Sequence, residues 1–248
     1  MFHPQGPSFF ELAQQALSST KKGYDLLAPK FDYTPFRTPD EVLAPVAAHL
    51  KKSGPFANGL DVCCGTGAAT RMLANVCTDR LVGVDFSEGM LHVAQENEKQ
   101  HAVRSQAQPD NGPVTEWQQA DVLDLAWQDE FDVAVSFGAF GHFLPDEQLR
   151  LLDQITKALR TGGRFVFVTT EMPGKFSRAY WLSQGFNLAM RIRNLFYRPP
   201  FIMYYLTFLL PDIARALESR GYQVEVLAPY SGRLKSLRIV DALLHKRQ

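Results

Sequence analysis

Leu60-Asp61-Val62-Cys63-Cys64-Gly65-Thr66-Gly67 is the stretch that decides the fold. Its apolar start reads as a strand, and residues 68–76 after it read as a helix. Gly65 and Gly67 let the backbone turn tightly and approach a ligand. The helix start beyond them offers free N–H groups. A strand, a glycine turn and a helix in that order mark the ligand edge of an open α/β sheet. The glycines alone do not choose the ligand. Gly65-x-Gly67-x-x-Thr70 matches half of the dinucleotide fingerprint, which wants Gly or Ala at its last position.

Three acids narrow the choice. Asp85 ends the next strand, where a carboxylate can accept hydrogen bonds from both hydroxyls of a ribose. A nicotinamide-binding fold would also place an acid there. Asp61 discriminates: it stands before the glycines, where it would repel a pyrophosphate and suit a ligand with an ammonium group. Asp121 ends the third strand, where a base-binding group would sit, with a helix cap as the lesser alternative.

Outward from the loop, strands are expected at 59–63, 81–86, 114–120, 131–137 and 164–170. Helices are expected between them at 68–76, 87–100 and 146–159, with only a short connection at 122–129. Such alternation gives a parallel sheet covered on both faces. Residues 101–113 read as a polar surface loop. A helix at 211–220 and a terminal antiparallel pair, 223–228 and 236–244, close the chain. The N-terminal part reads as a helix over 9–30 and a second from Thr38-Pro39-Asp40-Glu41 to about residue 52, with Thr38 as cap and Pro45 bending it.

The 248 residues suit one elaborated α/β domain that can bury its own core. Charge is balanced, 26 basic against 26 acidic side chains, which argues against a nucleic-acid-coating role. The three cysteines form neither a disulfide framework nor a CxxC metal motif, so no metal is expected and a reducing cytoplasm fits. Cys63 and Cys64 read as small core residues. No leader is expected at the N-terminus, and the longest uncharged runs, such as the 13 residues of 199–211, are too short for a membrane span.

Taken together, the motifs resemble those of class I S-adenosylmethionine-dependent methyltransferases. Asp61-x-x-x-Gly65-x-Gly67 resembles the family's first motif, and Gly83-Val84-Asp85-Phe86-Ser87-Glu88-Gly89-Met90 its ribose-binding motif. Gln119-Ala120-Asp121-Val122 resembles the adenine turn, Phe131 to Phe137 the fourth strand, and Leu159-Arg160-Thr161-Gly162-Gly163-Arg164 the turn before the fifth. The resemblance covers about 55–170 and 211–244. It implies a Rossmann-like, doubly wound, seven-stranded sheet with an antiparallel last strand. It also implies S-adenosylmethionine as cofactor, bound by Asp61, Cys63, Gly65, Thr66 and Gly67 at the methionine end. Asp85 would hold the ribose, Phe86 and Met90 would flank adenine, Asp121 and Val122 would read its edge, and Ser136 would lie below the sulfonium. Cys63 stands where the family has a glycine, and a small Cys fits there if φ is negative. The loop text is similar to loops of menaquinone- and ubiquinone-biosynthesis methyltransferases. Tyr24-Asp25-x-x-Ala28-x-x-Phe31-Asp32 resembles the segment that covers the site in such small-molecule enzymes.

Three parts are expected: a helical cap at 1–54, the Rossmann-like domain at 55–170 and 211–248, and an inserted segment at 171–210. From Met172 to Pro211 there is no acid, five Lys or Arg, and ten of the chain's 29 aromatic residues. This segment reads as a lid over an apolar pocket, as a contact with an anionic membrane surface, or as a packed structural cap. Within the site, His142 is the candidate general base, since it follows the fourth strand and titrates near neutrality. It would serve equally to shape its loop. Tyr24, Phe31 and Tyr180 are the candidate substrate contacts. The expected function is methyl transfer to a small apolar or aromatic acceptor in the cytoplasm, with no nucleic acid. A peripheral contact with the inner face of a membrane is a further expectation. An NAD(P)-dependent oxidoreductase and a non-catalytic S-adenosylmethionine-binding module are the alternatives.

Overall fold

The computed structural model describes residues 3–105 and 112–245. Seven strands form one sheet: β1 (Phe56–Val62), β2 (Cys77–Asp85), β3 (Val114–Gln119), β4 (Phe131–Ser136), β5 (Leu159–Thr170), β6 (Tyr222–Leu227) and β7 (Leu237–Leu244). Their spatial order is β3-β2-β1-β4-β5-β7-β6. β7 runs antiparallel to both of its neighbours, and the other pairs are parallel. The chain reverses direction across the sheet between β1 and β4, which is where an open α/β sheet forms its ligand crevice.

Each central strand divides its side chains between two apolar clusters. In β4 and β5, Ala134, Phe165 and Phe167 join one cluster, while Val133, Val135 and Val166 join the other. The first is closed by α6 (Pro145–Ala158) and α8 (Asp212–Glu218) through Leu151, Leu152, Ile155, Ile213 and Leu217. The second is closed by α3 (Asp40–Ser53) and α4 (Ala68–Leu73) through Val46, Leu50, Met72 and Leu73. Period-2 strands and period-3.6 helices thus supply matching faces.

Three expectations change. The N-terminal helix is broken into α1 (Phe9–Ala16), α2 (Thr20–Leu27) and a 3₁₀ turn, Ala28–Tyr33, because Ser19 Oγ accepts from Lys22 N and starts a new helix. Gly23 makes the resulting hairpin possible: a Cβ there would lie 2.8 Å from the Phe201 ring and 3.0 Å from Gln15. Thr38 does not cap α3. Pro39 occupies that place without a side-chain cap, and Thr38 faces the pocket instead. The helix after β2, α5 (Glu88–Ser105), outruns its expected end, since residues 101–105 contain no breaker. The remainder of the expected 101–113 loop falls mostly outside the described residues.

The segment after β5 contains one long helix, α7 (Arg178–Phe196), followed by irregular chain that returns beside β5 through a Glu171–Leu210 bridge.

Candidate active site

A cavity of about 470 Å³ opens at the carboxyl ends of β1, β2 and β4. Twelve of the residues singled out from the sequence line it: Asp61, Cys63, Gly65, Thr66, Asp85, Phe86, Met90, Asp121, Val122, Tyr24, Phe31 and His142.

The two central acids are built in by hydrogen bonds. Asp61 is buried, and its Oδ2 accepts from Thr70 Oγ1 at 2.6 Å. The residue at the third position of the half-matched dinucleotide fingerprint is thus the one that orients the carboxylate. Burial, opposed by the Thr70 bonds, pushes the Asp61 carboxyl up to about 7. Asp85 is also buried, with one oxygen accepting from Gly65 N and the other from Ser87 N, each at 2.9 Å. Burial pushes it up to about 6. Two desolvated carboxylates facing one cavity fit a ligand that brings its own cation and hydroxyl donors. Asp121 is exposed and accepts from Leu123 N at 2.9 Å, while Val122 is buried beside it. Phe86 and the buried Met90 supply apolar walls. This donor set suits a nucleoside carrying an amino-acid tail: ammonium toward Asp61, ribose toward Asp85, base between Phe86, Met90 and Val122.

The loop backbone is left-handed at three of five residues, Cys63 (φ 59°), Gly65 (φ 52°) and Gly67 (φ 78°). The condition under which a small Cys fits easily at 63, a negative φ, is therefore not met. The tight turn forces this side chain into a region that costs a non-glycine residue about 1–3 kcal/mol. Burial and the nearby Asp85 and Asp61 carboxylates push the Cys63 thiol well above its ordinary value, so it is no nucleophile at neutral pH.

Three sequence candidates stand off the cavity wall. Gly67 packs under Trp117, whose ring a Cβ would meet at 2.6 Å. Ser136 is buried and donates to the Val62 carbonyl at 2.8 Å, joining β4 to β1. Tyr180, near the start of α7, packs edge-on against Trp181. The same inserted segment instead sends Met203 and Tyr205 into the cavity. Phe36, Arg37, Thr38 and Phe143 also line it and were missed, since no local spacing signals them.

The N-terminal cap is latched onto the loops themselves. Asp25 Oδ1 accepts from Ser87 Oγ (2.6 Å) and Gly89 N (3.1 Å). Asp32 accepts from Thr66 Oγ1 (2.6 Å) and Asn97 Nδ2 (3.0 Å). Tyr24 Oη lies 2.6 Å from His142 Nε2, and the other ring nitrogen, Nδ1, lies 2.7 Å from the Ile202 carbonyl. That carbonyl can only accept, so Nδ1 carries the proton. Burial lowers the pKa of His142, which favours the neutral ring. Nε2 then accepts from the Tyr24 hydroxyl, whose own pKa burial and Asp85 push upward.

Away from the cavity, His49, Glu225 and Asp241 bring possible ligand atoms within 4.8 Å of one another. Asp241 Oδ2 there already bonds His49 Nε2 and Arg164 Nη1.

Residues 60–163 match a family described as a methyltransferase domain. The chain is similar to the demethylmenaquinone methyltransferase of Desulfitobacterium hafniense (strain Y51), with 28% identity over 174 residues that cover 68% of this chain and 63% of that protein. It is similar to the demethylmenaquinone methyltransferase of Staphylococcus saprophyticus, with 35% identity over 127 residues, 49% of this chain and 47% of that one. It also resembles the 2-phytyl-1,4-naphtoquinone methyltransferase of Synechococcus elongatus, 30% identical over 116 residues and 46% of each chain. The chain thus spans about half to just under two thirds of these relatives' own length. Among solved structures, a DhpI complex with S-adenosylhomocysteine superposes with a TM-score of 0.63 at 18% identity, covering 97% of this chain and 100% of that one. The magnesium protoporphyrin IX methyltransferase of Synechocystis PCC 6803 gives 0.60 at 17% identity, over 91% and 95%. Over residues 60–163 the chain thus resembles a methyltransferase domain, and its loop and sheet order agree with that likeness.

Proposed function

We propose that this protein methylates a small, apolar or aromatic acceptor, with S-adenosylmethionine as the donor. One observation carries the reading: the buried acids and the Tyr24–His142 pair open onto a single cavity, so donor and acceptor ends are continuous. The bound donor supplies an activated methyl group. The protein's task is to hold an acceptor atom in line with it, and such positioning can contribute roughly 7–11 kcal/mol.

Asp61 holds the ammonium and Asp85 the ribose hydroxyls. Tyr24, Phe31, Phe36, Phe143, Met203 and Tyr205 enclose an acceptor of aromatic or aliphatic character. An acceptor hydroxyl that donates to Tyr24 Oη passes its proton to that oxygen. The Tyr24 proton moves in turn to His142 Nε2, and the Ile202 carbonyl stabilises the imidazolium through Nδ1–H. The acceptor oxygen is left with the electron pair that attacks.

In this reading the chain divides into a cap at 1–54, the catalytic domain at 55–170 and 211–248, and a lid at 171–210. The names of the relatives point to quinols as the first acceptors to test. Such acceptors are carried in bilayers, so peripheral contact of 171–210 with a membrane belongs to the same reading. No described helix is long and apolar enough to cross one.

The test is calorimetric titration with S-adenosylhomocysteine, with NADH as control, on wild type and Asp85→Ala. Binding of the first ligand alone, weakened in the variant, is expected, followed by transfer of labelled methyl to quinols or phenols. Binding of NADH alone would overturn the reading.

A further inference from the structure

Helix α7 is turned the wrong way round for a helix of a water-soluble surface. At about 100° per residue, Trp181, Leu182, Leu188, Ile192, Leu195 and Phe196 fall in one sector of about 140°. All six are exposed, from 47% for Ile192 to 79% for Phe196. The opposite side, which faces the protein, sets Asn187 and Asn194 among Tyr180, Phe186 and Met190. Asn187 exchanges two hydrogen bonds with the backbone of Tyr205, and Asn194 does the same with Phe201. Met190 is the buried apolar residue among them. Arg193, at the flank, donates to the carbonyls of Ala16, Ser18 and Pro199, which fixes the helix against the α1–α2 joint and the half-exposed Leu17. The helix is thus anchored by two asparagines and Arg193, and its exposed sector is apolar.

Charge decides what covers that face. Lys175, Arg178, Arg191, Arg193 and Arg198 stand in a segment with no acid between Met172 and Pro211. Among the described residues, none of the five lies within ion-pair distance of a carboxylate. A second copy of the chain would bring these cations against their own kind. An anionic bilayer complements them and takes the apolar sector into its acyl boundary. Fully exposed Phe176 and exposed Tyr197, at the two ends of α7, are the aromatic residues such an interface favours.

We infer that α7 lies flat on an anionic lipid surface, apolar sector down, in the same segment that sends Met203 and Tyr205 into the cavity. This rests on the reading of 171–210 as a membrane contact and not on the pocket's chemistry.

The experiment is flotation of the full chain with vesicles of mixed phosphatidylglycerol and phosphatidylcholine, and of phosphatidylcholine alone. S-adenosylhomocysteine affinity is measured on the same samples. Binding to the anionic vesicles is expected, weakened by salt, with a blue-shifted tryptophan emission that Trp181→Phe removes. Leu188→Glu with Leu195→Glu, both at exposed helix positions, should weaken binding about tenfold per site, about a hundredfold together, with S-adenosylhomocysteine affinity unchanged. Three results overturn the proposal. One is protein that binds S-adenosylhomocysteine but leaves anionic vesicles unoccupied. Another is equal binding to both vesicle types. The third is a dimer in light scattering that the two glutamates dissociate, which assigns the face to a second copy. Loss of S-adenosylhomocysteine binding with vesicle binding intact would count against the cofactor site alone and leave this proposal supported.

Discussion

Burial raises the Asp61 carboxyl to about 7, yet the proposed ligand needs it ionised. Binding must therefore expel a proton. At pH 6 the free site is about nine-tenths protonated and at pH 8 about one-tenth, so Asp61 releases about 0.9 proton per ligand at pH 6 and about 0.1 at pH 8. Asp85, raised to about 6, adds about half a proton at pH 6 when ribose hydroxyls donate to it. The assay is calorimetric titration with S-adenosylhomocysteine in pairs of buffers of unlike ionisation enthalpy, since the apparent heat changes by the protons released times that difference. Asp61→Asn should remove most of the release and weaken binding by about 1.5–3 kcal/mol, the range of a hydrogen bond to a charged group. An Asp61→Asn protein that binds as tightly as wild type would refute the assignment of the ammonium to Asp61, and heats that do not depend on buffer between pH 6 and 7 would refute its raised pKa.

The same acids act on stability without ligand. Their folded-state pKa values lie above the unfolded value, so the native state binds the extra protons and the apo protein should lose melting temperature as pH rises from about 4 to 7. Cys63→Val places a β-branched side chain at φ 59° and should cost a further 1–3 kcal/mol or about that, read as a lower denaturation midpoint, while Cys63→Gly is tolerated. Gly67→Ala drives a methyl into the Trp117 ring, which its Nε1–H bond to Glu98 holds in place, and should destabilise by about 1–3 kcal/mol in the same assay. His142→Gln should lower kcat about 10²–10⁴-fold toward a hydroxyl acceptor and leave S-adenosylhomocysteine binding intact. The acid limb of the wild-type rate profile should lie below the ordinary histidine value of about 6.5, because the ring must be neutral and burial lowers its pKa.

The sheet and the acid-lined end of the cavity were legible in the sequence because their signals are local. Asp61, Gly65 and Gly67 lie within seven residues of one another, and Asp85 and Asp121 each end an apolar run. Of the opposite end only Tyr24, Phe31 and His142 were legible, because it is assembled from far apart. Tyr24 meets His142 across 118 positions, and Met203 and Tyr205 arrive from a segment whose backbone course no periodicity gives. Tyr180 was chosen there for its residue type, while α7 carries it away from the cavity. The positive φ of Cys63 was not legible for a related reason: a residue's size does not reveal the hand of the turn that holds it.

The latches of Asp25 and Asp32 have a meaning for binding. They close on Ser87, Gly89 and Thr66, next to the residues assigned to the cofactor, and not on some neutral part of the rim. Cap and cofactor therefore share anchor points, and their equilibria are linked in both directions by the same factor. Whatever orders those loops holds the cap shut, and whatever frees the cap loosens the spent cofactor. On the proposed function, release of the spent cofactor and opening of the cap are therefore two views of one equilibrium.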